Sequence, residues 1–191
     1  SDWFKELIDS SALFEYRSLK FDVYSSPKTF LYECDNHGEI FYDCLMIECI
    51  LKQGHSVILS SRKGPILNDV SFDDLTTLFK SPQLDHFRDY LNSGQLKLIH
   101  NGTSDVVKRL SHISDEYKTA YKTADIIIIK GQGHYESFPR YRQKWFMTFK
   151  TNYKKPHYHI FSVKSRLIQY SLTKLHRKKI PIGSLYLKYF H

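Results

Sequence analysis

The stretch Phe30-Leu31-Tyr32-Glu33-Cys34-Asp35-Asn36-His37-Gly38-Glu39 decides the fold of this chain. Its short apolar and aromatic run predicts a β-strand, which ends abruptly in the oxygen-bearing side chains of Asp35 and Asn36. In open α/β sheets, ligands bind at the carboxyl ends of the strands. A carboxylate and an amide carbonyl placed there can bind one hard cation. The alternative is that Asp35 or Asn36 caps the helix that follows.

The residues after Gly38 complete a strand–helix–strand unit. Gly54 stands where a helix is expected to end, and residues 55–60 predict a second strand directly after it. With the first strand predicted at about 29–34, this is a βαβ unit of two parallel strands. The helix is predicted from apolar side chains that recur at close to helical spacing, namely Ile40, Phe41, Cys44, Leu45, Ile47, Ile50 and Leu51.

A second amide and acid pair follows the second strand. It closes the loop Gly64-Pro65-Ile66-Leu67-Asn68-Asp69, which precedes a helix predicted over about 72–79. Here too a cap is the alternative, with Asp69 or Ser71 as the capping residue. Neighbouring strands lie about 5 Å apart, so the two strand ends should be side by side. The sequence therefore predicts that Asp35, Asn36 and Asp69 share one ion.

The remainder of the chain alternates helices and strands. Helices are predicted at about 84–91, 114–123 and 166–175, and strands at about 95–100, 126–129, 159–163 and 183–189. The β-branched run at 126–129 is typical of a central strand buried on both faces. This alternation predicts an α/β fold, a three-layer sandwich with a mostly parallel, Rossmann-like central sheet. Residues 1–27 are predicted to form an N-terminal arm and residues 28–191 a single domain.

Two further strand ends carry candidate phosphate contacts. The loop Asn101-Gly102-Thr103-Ser104-Asp105 offers backbone amides and hydroxyls to a phosphate or a sugar, although Ser104 or Asp105 could equally cap a short helix. The central strand ends in Lys130, between a dry core and two glycines. A point charge directed at a phosphate explains this lysine better than stability does.

The composition narrows the classes of partner and compartment. A formal net charge of +8 and a pI near 9.2 would suit a phosphate-rich partner. Nucleic acid is compatible with this charge, but no base-reading motif accompanies it, so a solvated basic face is the preferred interpretation. Three cysteines without CxxC spacing indicate a reduced, intracellular protein. The absence of a membrane-length apolar run and of a signal-peptide pattern predicts a cytoplasmic protein that does not bind membranes.

Oxygen ligands at the predicted ion site favour manganese, magnesium, cobalt or nickel over a zinc–thiolate centre. Four histidines near the motifs are not predicted as ligands. These are His37, His134, His157 and His159. His157 and His159 alternate on one face of a predicted strand and could mimic a metal pair, but a surface or pocket-lining role is the preferred interpretation.

Four sequence motifs in the chain together resemble those of the damage-control phosphatase family, also known as domain of unknown function eighty-nine. They are Asp35-Asn36-His37-Gly38-Glu39, Gly64-Pro65-Ile66-Leu67-Asn68-Asp69, Asn101-Gly102 and Lys130-Gly131-Gln132-Gly133-His134-Tyr135-Glu136. The later segments Phe161-Ser162-Val163-Lys164 and Ile180-Pro181-Ile182-Gly183-Ser184 match the family's order and character. The chain departs from the family in having His134 where Asn is usual, Val70 for a small residue and Ser165 for a common Cys. The helical region that usually precedes the first motif is nearly absent.

The resemblance implies a phosphatase that depends on one divalent metal ion and hydrolyses phosphomonoesters of small metabolites, such as sugar phosphates or damaged phosphorylated metabolites. It assigns the metal ligands to Asp35, Asn36 and Asp69, and the phosphate contact to Lys130. Glu39 is predicted to orient a ligand or act as a base, with a first-turn helix-dipole role as the alternative. Predicted substrate contacts are Asn68, Asn101, Gly102 and Gly131. The rival hypothesis is a non-catalytic module that binds phosphorylated ligands, nucleic acid or a protein through its basic, Tyr-rich C-terminal half.

Overall fold

The computed structural model describes residues 13–105, 112–137 and 155–190. Its strands are β1 (Leu13–Phe14), β2 (Thr29–Glu33), β3 (Ser56–Ser61), β4 (Leu96–His100), β5 (Ile126–Lys130), β6 (His157–Ser162) and β7 (Leu185–Phe190). Its α-helices are α1 (Tyr16–Val23), α2 (Ile40–Lys52), α3 (Phe72–Leu78), α4 (Arg88–Asn92), α5 (Asp115–Thr123), α6 (Gln132–Ser137) and α7 (Arg166–His176). A 3₁₀-helix at Pro82–Phe87 precedes α4.

The described strands form one seven-stranded sheet in the order β1-β7-β6-β5-β2-β3-β4. Strand β2 pairs in parallel with β3 on one side and with β5 on the other. Strands β4 and β6 extend this parallel block, β7 runs antiparallel to β6, and β1 pairs in parallel with β7. The α/β fold with a mostly parallel sheet and flanking helices is therefore confirmed.

The core lies on both faces of the sheet, and β5 contributes to each. Ile126 and Ile128 pack into a cluster that also holds α2 side chains, whereas Ile127 and Ile129 pack against α5 on the other face. All four side chains are at most 2% exposed. The β-branched run therefore forms the doubly buried central strand that the sequence predicts.

Two regions differ from the sequence-based expectation. Instead of one helix at about 84–91, the chain forms the 3₁₀-helix and then α4, because Pro82 begins the segment and Leu84 has non-helical backbone angles. Near the start of the chain, the two-residue strand β1 joins the edge of the sheet, which no local pattern indicates. Residues 1–12 and 138–154 lie outside the described residues, so the predictions for them have no structural counterpart.

Within the described ranges, no helix is both long and apolar enough to cross a lipid bilayer. Cys34, Cys44 and Cys49 are free thiols, the first two of them buried.

The strand order places a topological switch between β2 and β5. From β2 the chain moves outward through β3 to β4, and it then returns to the other side of β2 with β5 and β6. A crevice forms at such a reversal, outside the carboxyl ends of the two strands, and this is where open α/β sheets bind their ligands. Asp35 follows β2 and Gly131 follows β5, so the two motifs meet at this crevice.

The joint between α1 and β2 depends on the buried side chain of His55. Its Nδ1 atom accepts a hydrogen bond of 2.9 Å from the Lys28 backbone N–H, and its Nε2 atom lies 2.8 Å from the Val23 carbonyl oxygen. Since Nδ1 accepts, the ring proton is on Nε2, which donates to Val23. The ring also packs edge-on against Phe30 at 5.1 Å between centroids.

We expect His55→Ala to lower the free energy of unfolding by about 2–4 kcal/mol, because it opens a cavity and leaves two buried backbone groups unbonded. Denaturant unfolding monitored by circular dichroism measures this change. His86→Ala is the control, since the His86 side chain is about half exposed (48%) and its loss should cost less than about 0.5 kcal/mol. Equal losses in the two variants would show that His55 does not stabilise the joint.

Candidate metal and phosphate site

Asp35 and Asp69 are brought together by backbone pairing between two loops. The loop that follows β3 turns back toward the end of β2, where Asn36 and Asp69 form an isolated β-bridge. In the same contact the Val70 N–H donates to the Asp35 carbonyl oxygen at 2.8 Å. As a result, ligand atoms of Asp35, Asp69 and His134 all lie within 4.8 Å of one another. The two predicted carboxylates thus converge, and a histidine joins them.

Neither acidic residue caps a helix. The N-cap of α3 is Ser71, which forms a reciprocal capping box with Asp74. The N-cap of α2 is Glu39, and it makes no side-chain capping hydrogen bond. Capping was the alternative explanation for Asp35 and Asp69, and the structure assigns that role to other residues. Their side chains are therefore available at the crevice.

Among the described residues, Asp35 has no cationic side chain within ion-pair distance. Arg62 donates its Nε–H to Asp69 at 2.8 Å, whereas no lysine, arginine or histidine nitrogen in the described part of the chain forms an ion pair with Asp35. The Asp35 carboxylate instead accepts a hydrogen bond of 2.9 Å from the Asn36 amide. Burial, followed by repulsion from Asp69 and Glu39, raises the pKa of Asp35 to about 6. A buried carboxylate beside a second carboxylate is electrostatically suited to a cation.

These donors fit a divalent metal ion. Carboxylate oxygens from Asp35 and Asp69 are hard ligands of the kind that magnesium and manganese prefer. Both hydrogen bonds made by the Asn36 side chain, to Asp35 and to Glu39, use its amide nitrogen. The amide oxygen, which is the atom that binds hard cations, takes no part in either bond.

Gly131 allows β5 to end against the Asp35 carboxylate. A Cβ atom at this position would lie 2.2 Å from the Asp35 Cγ atom, and the backbone φ angle is +87°. Both the close approach and the left-handed conformation require glycine. The glycine after Lys130 therefore lets the two strand ends meet at the crevice.

Lys130 lies beside the acidic pair and is held by two carboxylates. Its Nζ atom donates to Glu39 at 2.8 Å and to Asp43 at 3.0 Å. Burial disfavours the charged lysine, but the charges of Asp43 and Glu39 outweigh burial and raise its pKa. For Glu39 the same ion pair outweighs burial and lowers the pKa. Asn36 bridges Asp35 and Glu39, so Asp35 and Lys130 belong to one hydrogen-bonded network.

Asp43 is part of this network but was not predicted from the sequence. It is buried in α2, where it accepts hydrogen bonds from Lys130 and, at 2.7 Å, from the Tyr32 hydroxyl. Burial raises its pKa despite the nearby lysine. An acid four residues after Glu39, within an otherwise apolar stripe of α2, was the available signal. Positions four apart share a helix face, so both acids face Lys130.

A second lysine contributes charge to the crevice. Lys164 is exposed and follows the end of β6. Its positive charge partly opposes the rise in the pKa of Asp35 and contributes to the lowered pKa of Glu39. Its backbone N–H donates to the Gln132 side chain at 2.7 Å, which connects this loop to α6. In the sequence, Lys164 was noted only as the last residue of the segment 161–164 that resembles the family, and no role was predicted for it.

The four predicted substrate contacts have different surroundings. Asn101 is buried and its Oδ1 atom accepts a hydrogen bond from the Thr103 N–H. A Cβ atom on Gly102 would lie 2.2 Å from the Ser114 backbone nitrogen, so close backbone packing explains this glycine. Asn68 is exposed, and its carbonyl oxygen accepts from the His37 N–H. Of the four, Gly131 is the one whose Cβ position adjoins the Asp35 carboxylate, and the substrate roles of all four stay predictions.

The structure separates the four histidines. His134 is 3% exposed and belongs to the Asp35–Asp69 group. The His37 ring is exposed and lies between the Asn68 carbonyl oxygen at 2.9 Å and Asp74 at 2.9 Å. His157 and His159 lie on β6, where both rings pack against Phe190. The sequence did not predict His134 as a ligand, and it did not predict the short helix α6 that carries this residue.

Comparisons of the sequence with known proteins identify a matching family and several relatives. The family model for the damage-control phosphatase ARMT1-like domain matches residues 4–178. An uncharacterized protein of Methanocaldococcus jannaschii is 32% identical over 139 residues, which are 73% of this chain and 39% of that protein. A damage-control phosphatase of Pyrococcus horikoshii is 33% identical over 118 residues, 61% of this chain and 37% of that protein. The chain thus spans less than half the length of these curated relatives.

A solved structure agrees with the sequence comparisons. The crystal structure of a DUF89 family protein from Pyrococcus horikoshii, at 2.04 Å resolution, is similar with a TM-score of 0.68 and 26% sequence identity. The similarity covers 93% of this chain and 52% of that chain. Since the family model matches most of its residues, this chain belongs to the damage-control phosphatase ARMT1-like family, also called DUF89, as its motifs predicted.

Proposed function

We propose that this protein is a divalent-metal-dependent phosphatase that hydrolyses phosphomonoesters of small metabolites. The observation that carries the proposal is the pairing of Asp35 and Asp69 at the switch point of the sheet, with Lys130 linked to Asp35 through Glu39 and Asn36. The relative from Pyrococcus horikoshii bears the name damage-control phosphatase, which supports the same reaction class. A phosphorylated sugar or a damaged phosphorylated metabolite is the proposed substrate.

The proposed metal ligands are the carboxylates of Asp35 and Asp69 and the amide oxygen of Asn36. When bound, a divalent ion supplies charge neutralisation of the phosphate and a more acidic water molecule. Manganese, nickel, cobalt and magnesium are the proposed ions. Asp35 would lose its like-charge repulsion when a cation binds, so ion binding should lower its pKa from about 6.

Lys130 is proposed to hold the phosphoryl oxygens of the substrate. Its ion pairs with Glu39 and Asp43 keep it protonated and fix its position before substrate arrives. Glu39 is proposed to orient Lys130 and Asn36 rather than to accept a proton. A carboxylate whose pKa is lowered is a weaker base at neutral pH, and the Lys130 ion pair lowers that of Glu39.

Lys164 is proposed as an outer contact for the substrate. It is exposed, whereas Lys130 is largely buried, so the two lysines offer positive charge at different depths of the crevice. Lys130 would act on the transferred phosphoryl group. Lys164 would attract the anionic substrate and contribute to its binding, a role that is weaker because solvent screens the charge.

We expect phosphatase activity to require added metal and to depend on Asp35. Protein stripped with a chelator should hydrolyse p-nitrophenyl phosphate only after Mn²⁺, Ni²⁺, Co²⁺ or Mg²⁺ is restored. Asp35→Asn should lower kcat/KM by at least about a hundredfold, because it removes a charged ligand while keeping a similar shape. Steady-state assays with each ion measure both effects.

Asp73→Asn is the control for this experiment, since Asp73 is an exposed acid on α3 and lies outside the cluster. It should retain the activity of the wild type. Folded protein that binds the ion but turns over no phosphomonoester would contradict the phosphatase proposal. That result would favour the rival hypothesis of a module that binds phosphorylated ligands without hydrolysing them.

The two lysines should differ in their kinetic effects. Lys130→Met should reduce kcat by about a hundredfold, because it removes a buried charge that acts on the reacting group. Lys164→Met should instead raise KM by roughly two- to fivefold with little change in kcat, as expected for an exposed charge. Saturation kinetics at two salt concentrations test this division. A loss of kcat in Lys164→Met as large as that in Lys130→Met would reject it.

Gly131→Ala should disrupt the metal site by displacing Asp35. The new methyl group would overlap the Asp35 carboxylate, so we expect metal affinity to fall at least about tenfold, the size seen when support for a ligand is lost. Gly183→Ala is the matched control, because Gly183 has a φ angle of +86° but no neighbouring atom within 4 Å of a Cβ. Calorimetric titration with Mn²⁺ compares the two. Similar affinities in both variants would contradict the tight approach of Gly131 to Asp35.

A further inference from the structure

His134 is the nitrogen-bearing member of the acidic group at the crevice. It lies on α6, directly after the Lys130-Gly131 turn, and its side chain is 3% exposed. One of its ring nitrogens lies within 4.8 Å of the oxygen atoms that Asp35 and Asp69 offer. The turn that places Gly131 against Asp35 therefore also brings an imidazole to the two carboxylates.

The surroundings of His134 resemble those of a histidine that ligates a metal. Glu33, which is the last residue of β2, is buried, and its Oε2 atom lies 3.6 Å from the His134 Nδ1 atom. Histidine ligands generally have a carboxylate or carbonyl near the ring, and this outer partner orients them. Here the outer carboxylate of Glu33 and the inner carboxylate of Asp35 come from the same strand end, because the two residues are two positions apart.

The other nearby histidines are arranged differently. His37 adjoins Asn36 in sequence, but its exposed ring is bonded to the Asn68 carbonyl oxygen and to Asp74. The His159 ring packs edge-on against Tyr135, with 4.8 Å between ring centroids. Within the described residues, the group of possible metal-binding acids and histidines contains His134 and neither of these two.

We propose that His134 is a nitrogen ligand of the ion held by Asp35 and Asp69, and that it shifts the preference of the site from Mg²⁺ toward Co²⁺ and Ni²⁺. The inference rests on the metal site of the proposed function and adds a ligand to it. Imidazole suits nickel, cobalt and other transition metals, whereas magnesium favours oxygen ligands and retains several waters. An asparagine at this position would offer only an amide oxygen as a ligand.

The test compares metal binding by the wild type and by His134→Asn, using the metal ions alone. Calorimetric titrations of metal-free protein should give Kd values for Co²⁺ and Ni²⁺ that rise at least about tenfold in His134→Asn. The Kd for Mg²⁺ should change by less than about threefold, because magnesium gains little from the imidazole. His86→Asn is the matched control, since it removes an exposed histidine outside the group, and it should change none of these values.

A second readout detects the ligand directly in the wild-type protein. Cobalt(II) is paramagnetic, so the ring N–H proton of a ligated histidine gives a strongly shifted proton resonance that disappears in deuterated water. We expect one such resonance in the Co²⁺-loaded wild type and in His86→Asn, and none in folded His134→Asn. Absence of any shifted histidine resonance in the wild type would overturn the proposal even if His134→Asn did not fold.

The outcomes also separate this inference from the proposed function. If Asp35→Asn abolishes Co²⁺ binding while His134→Asn leaves both the affinity and the resonance unchanged, His134 is not a ligand and the metal-dependent phosphatase proposal stands. If the wild type binds neither Co²⁺ nor Mg²⁺, both proposals fail. A parallel tenfold loss for Mg²⁺ and Co²⁺ in His134→Asn would also overturn the inference, since the residue would then support the site without selecting the ion.

Discussion

An imbalance of charge around Asp35 underlies the rest of the site. Arg62 neutralises Asp69, and Lys130 is shared between Glu39 and Asp43. No side-chain cation in the described residues forms an ion pair with Asp35, and burial together with neighbouring carboxylates raises its pKa to about 6. Such a group is costly to keep charged unless a cation joins it. The fold nonetheless brings it against Asp69 and Gly131, an arrangement that favours ion binding over stability of the empty site.

The sequence was sufficient to predict the fold and the proximity of Asp35 and Asp69, because the relevant signals are local. The uninterrupted β-branched run that forms β5 indicates a strand buried on both faces. The polar residues after β2 and β3 mark the carboxyl ends of adjacent parallel strands. The spacing of the strands places these ends side by side, and the bridge between Asn36 and Asp69 completes the approach of the two loops. By contrast, the ion pair between Lys130 and Glu39 joins residues 91 positions apart, and β1 has only two residues. No periodic pattern can encode such contacts, which depend on tertiary packing.

The capping alternatives show how a local ambiguity was resolved by neighbouring residues. An acidic residue before a helix has two explanations, a cap or a ligand, and the stretch taken alone does not decide between them. At α3 the pair Ser71 and Asp74 forms a complete capping box, so Asp69 is not needed there and pairs with Arg62. At α2 the N-cap position belongs to Glu39, whose carboxylate contacts Lys130 instead of the helix amides. In both loops, a residue nearer the helix occupies the N-cap position, so Asp35 and Asp69 are not needed as caps.

The Lys130-Gly131 turn couples the two halves of the proposed chemistry. It ends β5 with a lysine bound to the acids of α2, and its glycine permits the approach to Asp35. It also begins α6, which carries His134. This turn therefore adjoins both the proposed phosphate contact, Lys130, and the proposed metal ligand Asp35, while Asp69 approaches from the loop after β3. Because the turn hydrogen-bonds to β6 through the Gly131 N–H and the Ile160 carbonyl oxygen at 2.9 Å, its position is set by the central sheet. Precise placement of reacting groups on such rigid elements is what phosphoryl transfer requires most from a protein.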